Sequence, residues 1–505
     1  PPLTWAAADV APVAAARFTA TSPLPDGWTA SLDDLFGTPN KMSDGSDDPD
    51  WGSSNPGAPH DAIAAMGVAS FDAPNLLIAD GDYGDADHGT FFHEAGKVAI
   101  NPKQPTAKIW ITFTIPKGTM PEKGWPVVVY QHGMGGQRGD ALSMANTYAR
   151  KGWITASIEV VLQGTRGLDS VPRGDKASDY KRSTSKYSGP DGFSDKSSSD
   201  GSNYPPTDLF GDLYRIAALR DQFRQSAIDH TTLLRLLKSS PALEGLADGG
   251  VTPLVDGSKV AYSGVSLGGI IGSITAAIEP DHAAYFLDVP GGGLFTDLAS
   301  SSPGIYALLH TAAALFFGYN KAQVPWSHPL VQLMQHVVDG MDPVALGGAV
   351  NEPLPIGGVT PKPRNLLLVE DLADELVANP ATEALARSMG IPIVTPHAPK
   401  LFATLKEIDG ADVHDVPLAG TTGVLVQVYP AQHGGELVNK HGRRSFAVPY
   451  GQFGDPQQDP FPRLSTPVEF DNPYLELQAL ATRFLADALD GKVPTLTWTK
   501  APTTP

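Results

Sequence analysis

The sequence predicts an α/β fold, with a mostly parallel central sheet, helices on both faces and a helical cap or lid inserted into it. Three observations predict it. Residues 259–280, KVAYSGVSLGGIIGSITAAIEP, read as strand, sharp turn and helix, with Ser266 on the turn. Apolar, strand-like runs recur between helical stretches, at 126–130, 153–161, 283–289, 365–370 and 422–429. That alternation belongs to a parallel sheet. The block 294–358 breaks the alternation with apolar helical runs at 305–317 and 330–338, which reads as a cap between two core strands.

Composition narrows the chemistry. The chain has 505 residues, 41% of them hydrophobic, enough for one elaborated domain or two smaller ones. With 55 acidic against 36 basic residues the net charge is −19. Such a field repels nucleic acid and anionic membrane surfaces. There is no cysteine, which excludes disulfides, thiolate metal sites and cysteine nucleophiles. The sequence opens on Pro1 without a methionine, so a signal segment is expected to lie outside it.

Taken in order, residues 1–105 form an N-terminal extension with acidic loops at 44–50 and 80–88. Asp80, Asp82, Asp85 and Asp87 offer oxygens of the kind Ca²⁺ takes, but without the spacing of a calcium loop; a solvated loop is the preferred reading. Residues 97–100 and 108–115 read as an antiparallel strand pair at the entry to the sheet. Residues 106–293 make the first part of the core. Within it the strand PVVVY at 126–130, a helix over 141–151 ending at Gly152, and the strand 153–161 form a βαβ unit. A polar insertion, 169–203, precedes a long helical region over 208–239. Residues 294–360 are the cap, and 361–505 the second part of the core. There the strand at 422–429 is the last clear one, and 475–489 closes the chain as an amphipathic helix.

The stretch around Ser266 carries chemistry. Gly264-Val265-Ser266-Leu267-Gly268 is a Gly-x-Ser-x-Gly elbow placed between a strand and a helix, where the serine hydroxyl stands clear of the sheet. A serine needs a base to take its proton and a carboxylate to orient that base. His433 follows the strand GVLVQV in a glycine-flanked loop and is the expected base; His414 is the second choice. Four carboxylates compete for the third place: Asp288, Glu370, Asp371 and Asp374. Oxyanion donors are expected at the backbone N–H of Leu267 and of Met134, the latter in the glycine-rich loop QHGMGG after the strand 126–130. Leu308, Leu309, Phe316 and Phe317 in the cap are expected to line an acyl pocket.

The segments QHGMGG, GVSLGG, VEDLADELV and YPAQHGG, in this order, resemble the α/β-hydrolase superfamily. HG followed by a hydrophobic residue is similar to its bacterial lipase and esterase type. The long N-terminal region and the helix RQSAIDHTTLLRLLK resemble large secreted bacterial lipases, some of them lipoprotein-anchored. The resemblance covers roughly residues 107–489. It implies a carboxylic-ester hydrolase acting through an acyl-enzyme, without a cofactor, secreted or associated with the cell envelope. The loop around Leu-Ala-Asp-Glu-Leu-Val resembles the family's acid loop and so implies Asp374 as the acid. Substrates are then small-molecule, lipid or polymer esters, with no nucleic acid, no transmembrane segment and a monomeric chain expected. The competing readings are a peptidase or amidase, an acyltransferase, and a non-catalytic binding protein on the same scaffold. The first usually brings a β-propeller, and residues 1–105 are too short for one.

Overall fold

A computed structural model describes residues 19–20, 32, 38–48, 57–78, 87, 89–163, 166, 216–243, 252–307, 318, 328–352, 362–437, 441–446 and 463–501. The chain forms two compact units, Pro1–Ser263 with Asp281–Ala283 and Pro355–Thr360, and Gly264–Pro280 with Ala284–Leu354 and Pro361–Pro505.

In the first unit, β1 (Thr19–Ala20) pairs with β2 (Ile63–Pro74). A small hairpin follows, β3 (His93–Glu94) and β4 (Lys97–Val98). Next come β5 (Thr106–Pro116), β6 (Trp125–Gln131), α1 (Leu142–Ala149), β7 (Ile154–Ile158), α2 (Ile216–Lys238) and β8 (Val255–Val265). The strands order β1-β2-β5-β7-β6-β8. The expected βαβ unit is present, with β6 and β7 parallel from Val127↔Ile154 to Gln131↔Ile158. The expected pairing of 97–100 with 108–115 is not. Ala95 and Gly96 both take positive φ, 48° and 76°. That two-residue turn closes β4 onto β3 instead. β5 is occupied on one side by β2, antiparallel from Ile63↔Pro116 to Pro74↔Thr106, and on the other by β7. Part of the acidic stretch at 44–48 is buried. Asp47 is fully buried and accepts the Lys41 ammonium and the His60 N–H.

The long helical region is a single helix from Ile216 onward. Leu219, Ile228, Leu233, Leu236 and Leu237 make its buried apolar stripe. The neighbouring polar face is buried too, because Asp221 and Gln225 accept the N–H groups of Phe91 and Leu76. Buried polar side chains of this kind are sustained by such bonds.

The second unit opens with the elbow and α3 (Leu267–Ile278), then β9 (Tyr285–Asp288). The block expected as a cap follows: a π-helical turn Leu294–Leu298, α4 (Pro329–Val338) and short helices Pro343–Leu346 and Gly348–Asn351. Asp342 ties its base together, accepting the N–H groups of Gly293, Leu294 and Val344 and the Gln335 amide at 2.7–2.9 Å. Then come β10 (Leu366–Asp371), α5 (Asn379–Met389), β11 (Ile393–Thr395), β12 (Glu407–Asp409) and β13 (Gly423–Val428). Their order is β9-β10-β13-β11-β12, all parallel. β10 and β13 are buried at every position, as expected of strands covered on both faces.

β13 is not the last strand. β14 (His441–Phe446) and β15 (Arg463–Asp471) form a separate antiparallel hairpin before α6 (Tyr474–Leu489). β15 is exposed or half-buried throughout and carries Pro467, so it lacks the apolar run that marks a core strand. Among the described residues no helix is long and apolar enough to cross a membrane. The leading residues 1–16 and the insertion 169–203 lie outside the described residues.

Parallel strands, crossover helices and a serine elbow at a strand–helix junction define the α/β-hydrolase fold. This chain has it.

Candidate active site

β8 ends at Val265 and α3 begins at Leu267, leaving one residue for the turn. That residue, Ser266, takes φ 57° and ψ −119°. A non-glycine side chain is strained there, a conformation that persists only where surrounding packing enforces it. The Ser266 N–H donates to the Asp288 carbonyl at 3.0 Å. At Gly269, one turn on, a Cβ would sit 3.1 Å from that same carbonyl and from Pro290. Gly269 therefore permits close passage of helix and strand at this point.

β10 and β13 are direct neighbours in parallel register up to Asp371↔Val428, so the loops that follow them lie side by side. They are stitched by Leu372 N–H to Val428 O at 3.0 Å, Ala373 N–H to Ala431 O at 2.8 Å, and Gly435 N–H to Asp371 Oδ2 at 2.7 Å. Asp374 is on the first loop and His433 on the second. His433 Nδ1 lies 2.7 Å from Asp374 Oδ2, and His433 Nε2 lies 2.8 Å from Ser266 Oγ. An ionised carboxylate only accepts. Nδ1 therefore carries the proton, and Nε2 presents its lone pair to the serine hydroxyl. Asp374 is held by its other oxygen, which accepts Leu376 N–H at 2.7 Å and Val377 N–H at 3.0 Å. Burial lowers the His433 pKa, but the charge and hydrogen bond of Asp374, with Asp288, outweigh it and set the ring above its ordinary value.

The structure thus brings Ser266, His433 and Asp374 together in the chain order Ser, Asp, His. It leaves His414 apart, at the surface beside Asp415 and Asp412. Glu370 and Asp371 are buried; Glu370 accepts Gln427 Nε2 at 3.3 Å, while Asp371 holds the loop of His433. The Leu267 N–H opens α3, where no intrahelical acceptor exists.

Met134 belongs to the first unit, 40% exposed at the second position of the turn 133–136. Gly136 N–H bonds Gly133 O at 3.1 Å, and Gly135 has φ 75°. Two side chains that the sequence did not single out brace this turn. Gln163 accepts Gly135 N–H at 3.0 Å, and buried His132 places Nδ1 at 2.7 Å from Gly133 O. The HG dipeptide was the only signal for His132; Gln163 gave none.

Leu308, Leu309, Phe316 and Phe317 lie outside the described residues, as do Asp80, Asp82 and Asp85. Asp87 closes a turn, its carbonyl accepting from Thr90. No group of three or more metal-ligating side chains occurs among the described residues.

No protein-family model matches the chain, and no curated protein matches it. Solved structures that resemble it include an acetyl xylan esterase from Paenibacillus sp. R4, at 14% identity and TM-score 0.39 over 73% of this chain and 79% of that one. Another is acetyl xylan esterase 1 from Thermoanaerobacterium sp. JW/SL YS485, at 15% identity and TM-score 0.38 over 82% and 91%. A third is Est1E from Butyrivibrio proteoclasticus with ferulic acid bound, at 13% identity and TM-score 0.28 over 64% and 88%. The fold is read from this chain's own strand order and elbow, and the likenesses assign no role to its residues.

Proposed function

We propose that this chain is a serine hydrolase of carboxylic esters, acting through an acyl-enzyme. The observation that carries the reading is the chain of two short contacts, Ser266 Oγ to His433 Nε2 at 2.8 Å and His433 Nδ1 to Asp374 Oδ2 at 2.7 Å. As the Ser266 hydroxyl attacks the ester carbonyl carbon, its proton passes to Nε2. The imidazolium is stabilised by Asp374. The carbonyl π electrons move onto oxygen, and the Leu267 N–H at the positive end of α3 donates to that oxyanion. Collapse of the tetrahedral adduct breaks the bond to the alcohol, which leaves with the proton from Nε2. Water then repeats the cycle on the acyl-serine, giving its proton to His433 and releasing the acid.

A binding protein that has lost catalysis gains no support, since all three side chains meet at hydrogen-bond distance. The test is a series of p-nitrophenyl esters of rising acyl length beside a peptide p-nitroanilide. Ester hydrolysis with a preference along the series is the expected result. Turnover of the anilide alone would replace the reading with an amidase.

A further inference from the structure

Two buried acids behind the site take no part in the proposed chemistry. Asp288 ends β9 and Asp371 ends β10, both fully buried. The strands pair Val369 with Asp288. Residues two apart on a strand share a face, so Asp371 points to the same side of the sheet as Asp288. Both oxygens of Asp288, and Oδ1 of Asp371, lack a hydrogen-bond partner among the described residues. Two ionised carboxylates in that state would be prohibitively unstable. A single proton removes the difficulty at Asp288, because a carboxylic acid is neutral and can itself donate.

The backbone contacts give the pair its use. The Asp288 carbonyl holds the N–H of Ser266 at 3.0 Å, and Asp371 Oδ2 holds the N–H of Gly435, two residues past His433, at 2.7 Å. The main chain at Asp288 holds the nucleophile's turn, and the carboxylate of Asp371 holds the base's loop. We propose that Asp288 and Asp371 share one proton as an acid–carboxylate pair, and that this bridge positions Ser266 against His433. The groups facing Asp288 are His433, Asp374 and Asp371; those facing Asp371 are Asp288, Asp374 and Glu370. Burial first, and then this ring of like charge, pushes Asp371 well above the usual carboxylate range. Burial does the same to Asp288 against the pull of His433.

The positioning role rests on the proposed triad; the shared proton does not. Infrared difference spectra at neutral pH, wild type against Asp288→Asn, should show the loss of a protonated-carboxyl band. An unchanged band overturns the pair, whatever the protein hydrolyses. In ester assays, Asp288→Ala should lower kcat roughly tenfold to 10²-fold, on the scale of a small misplacement, with KM little changed. Asp288→Asn, whose amide can donate in place of the proton, should show a milder drop. It should also lack the alkaline fall in kcat that wild type shows once the proton is lost. A kcat for Asp288→Ala equal to that of wild type, or matching alkaline limbs for wild type and Asp288→Asn, overturns the positioning.

Discussion

His433 is pulled in two directions, and the balance is measurable. Burial favours its neutral form while the charge and hydrogen bond of Asp374 favour the cation and prevail. The free enzyme should therefore lose kcat/KM on the acid side at a pH above about 6.5, the ordinary imidazole value. Asp374→Asn removes the dominant anion, so that limb should move to lower pH while kcat falls about 10⁴-fold. If Asp288→Asn showed that loss and Asp374→Asn did not, the acid would be Asp288. Ser266→Ala should abolish turnover, by roughly 10⁶-fold, without unfolding the protein. Asp288 also makes a stability prediction. Unfolded, it ionises near about 3.9; folded, it holds its proton to a much higher pH. The folded state binds more protons between those values, so stability falls as pH rises. The melting-temperature advantage of Asp288→Asn over wild type should therefore grow from acid to alkaline buffer. Ser266 and His433 were legible because each follows a strongly patterned strand, whereas that pattern left four carboxylates open and only the resemblance of its loop favoured Asp374. The task of Asp371 was not legible, since its partner Gly435 lies 64 residues further on.

At the scale of elements, the strands that were read correctly are those buried on both faces, where an unbroken apolar run is required. β2 escaped notice because its sequence, IAAMGVASFDAP, is rich in alanine and contains a glycine and an aspartate. β15 escaped because it is exposed or half-buried throughout, and β14 is its partner. Yet that hairpin reaches both triad loops. Arg443 N–H donates to Gln432, the neighbour of His433, at 2.7 Å, and Ser445 N–H donates to Glu375, the neighbour of Asp374, at 2.7 Å. The histidine loop itself leaves no room at Gly435, where a Cβ would stand 2.8 Å from Asp371 Oδ2 and 3.0 Å from Leu477. Gly435→Ala should displace the histidine loop and lower kcat by about 10²-fold. A crystal structure of the variant with His433 still on Ser266 and wild-type activity would refute this.

At the scale of the molecule, the net charge of −19 bears on substrate encounter. It opposes the approach of anionic esters and leaves neutral ones unaffected. Added salt should raise kcat/KM for a carboxylate-bearing ester and leave that for a neutral ester of similar size nearly constant. Equal salt responses would show that the global field does not reach the site. The cap offers a second check. A covalent phosphonate on Ser266 with a long alkyl chain should bring that chain against Leu308, Leu309, Phe316 or Phe317. A chain that touches none of them removes the acyl-pocket expectation and leaves the triad intact.

The backbone of Ser266 has a consequence for the fate of the scaffold. At φ 57° and ψ −119° the residue occupies territory natural only to glycine, a strain worth about 1–3 kcal/mol. Ser266→Gly should therefore be inert toward esters yet melt higher than either wild type or Ser266→Ala. Catalysis and stability oppose each other at one residue. A descendant of this chain kept only for binding would gain thermodynamically by abandoning its nucleophile, and glycine is the replacement that physics favours.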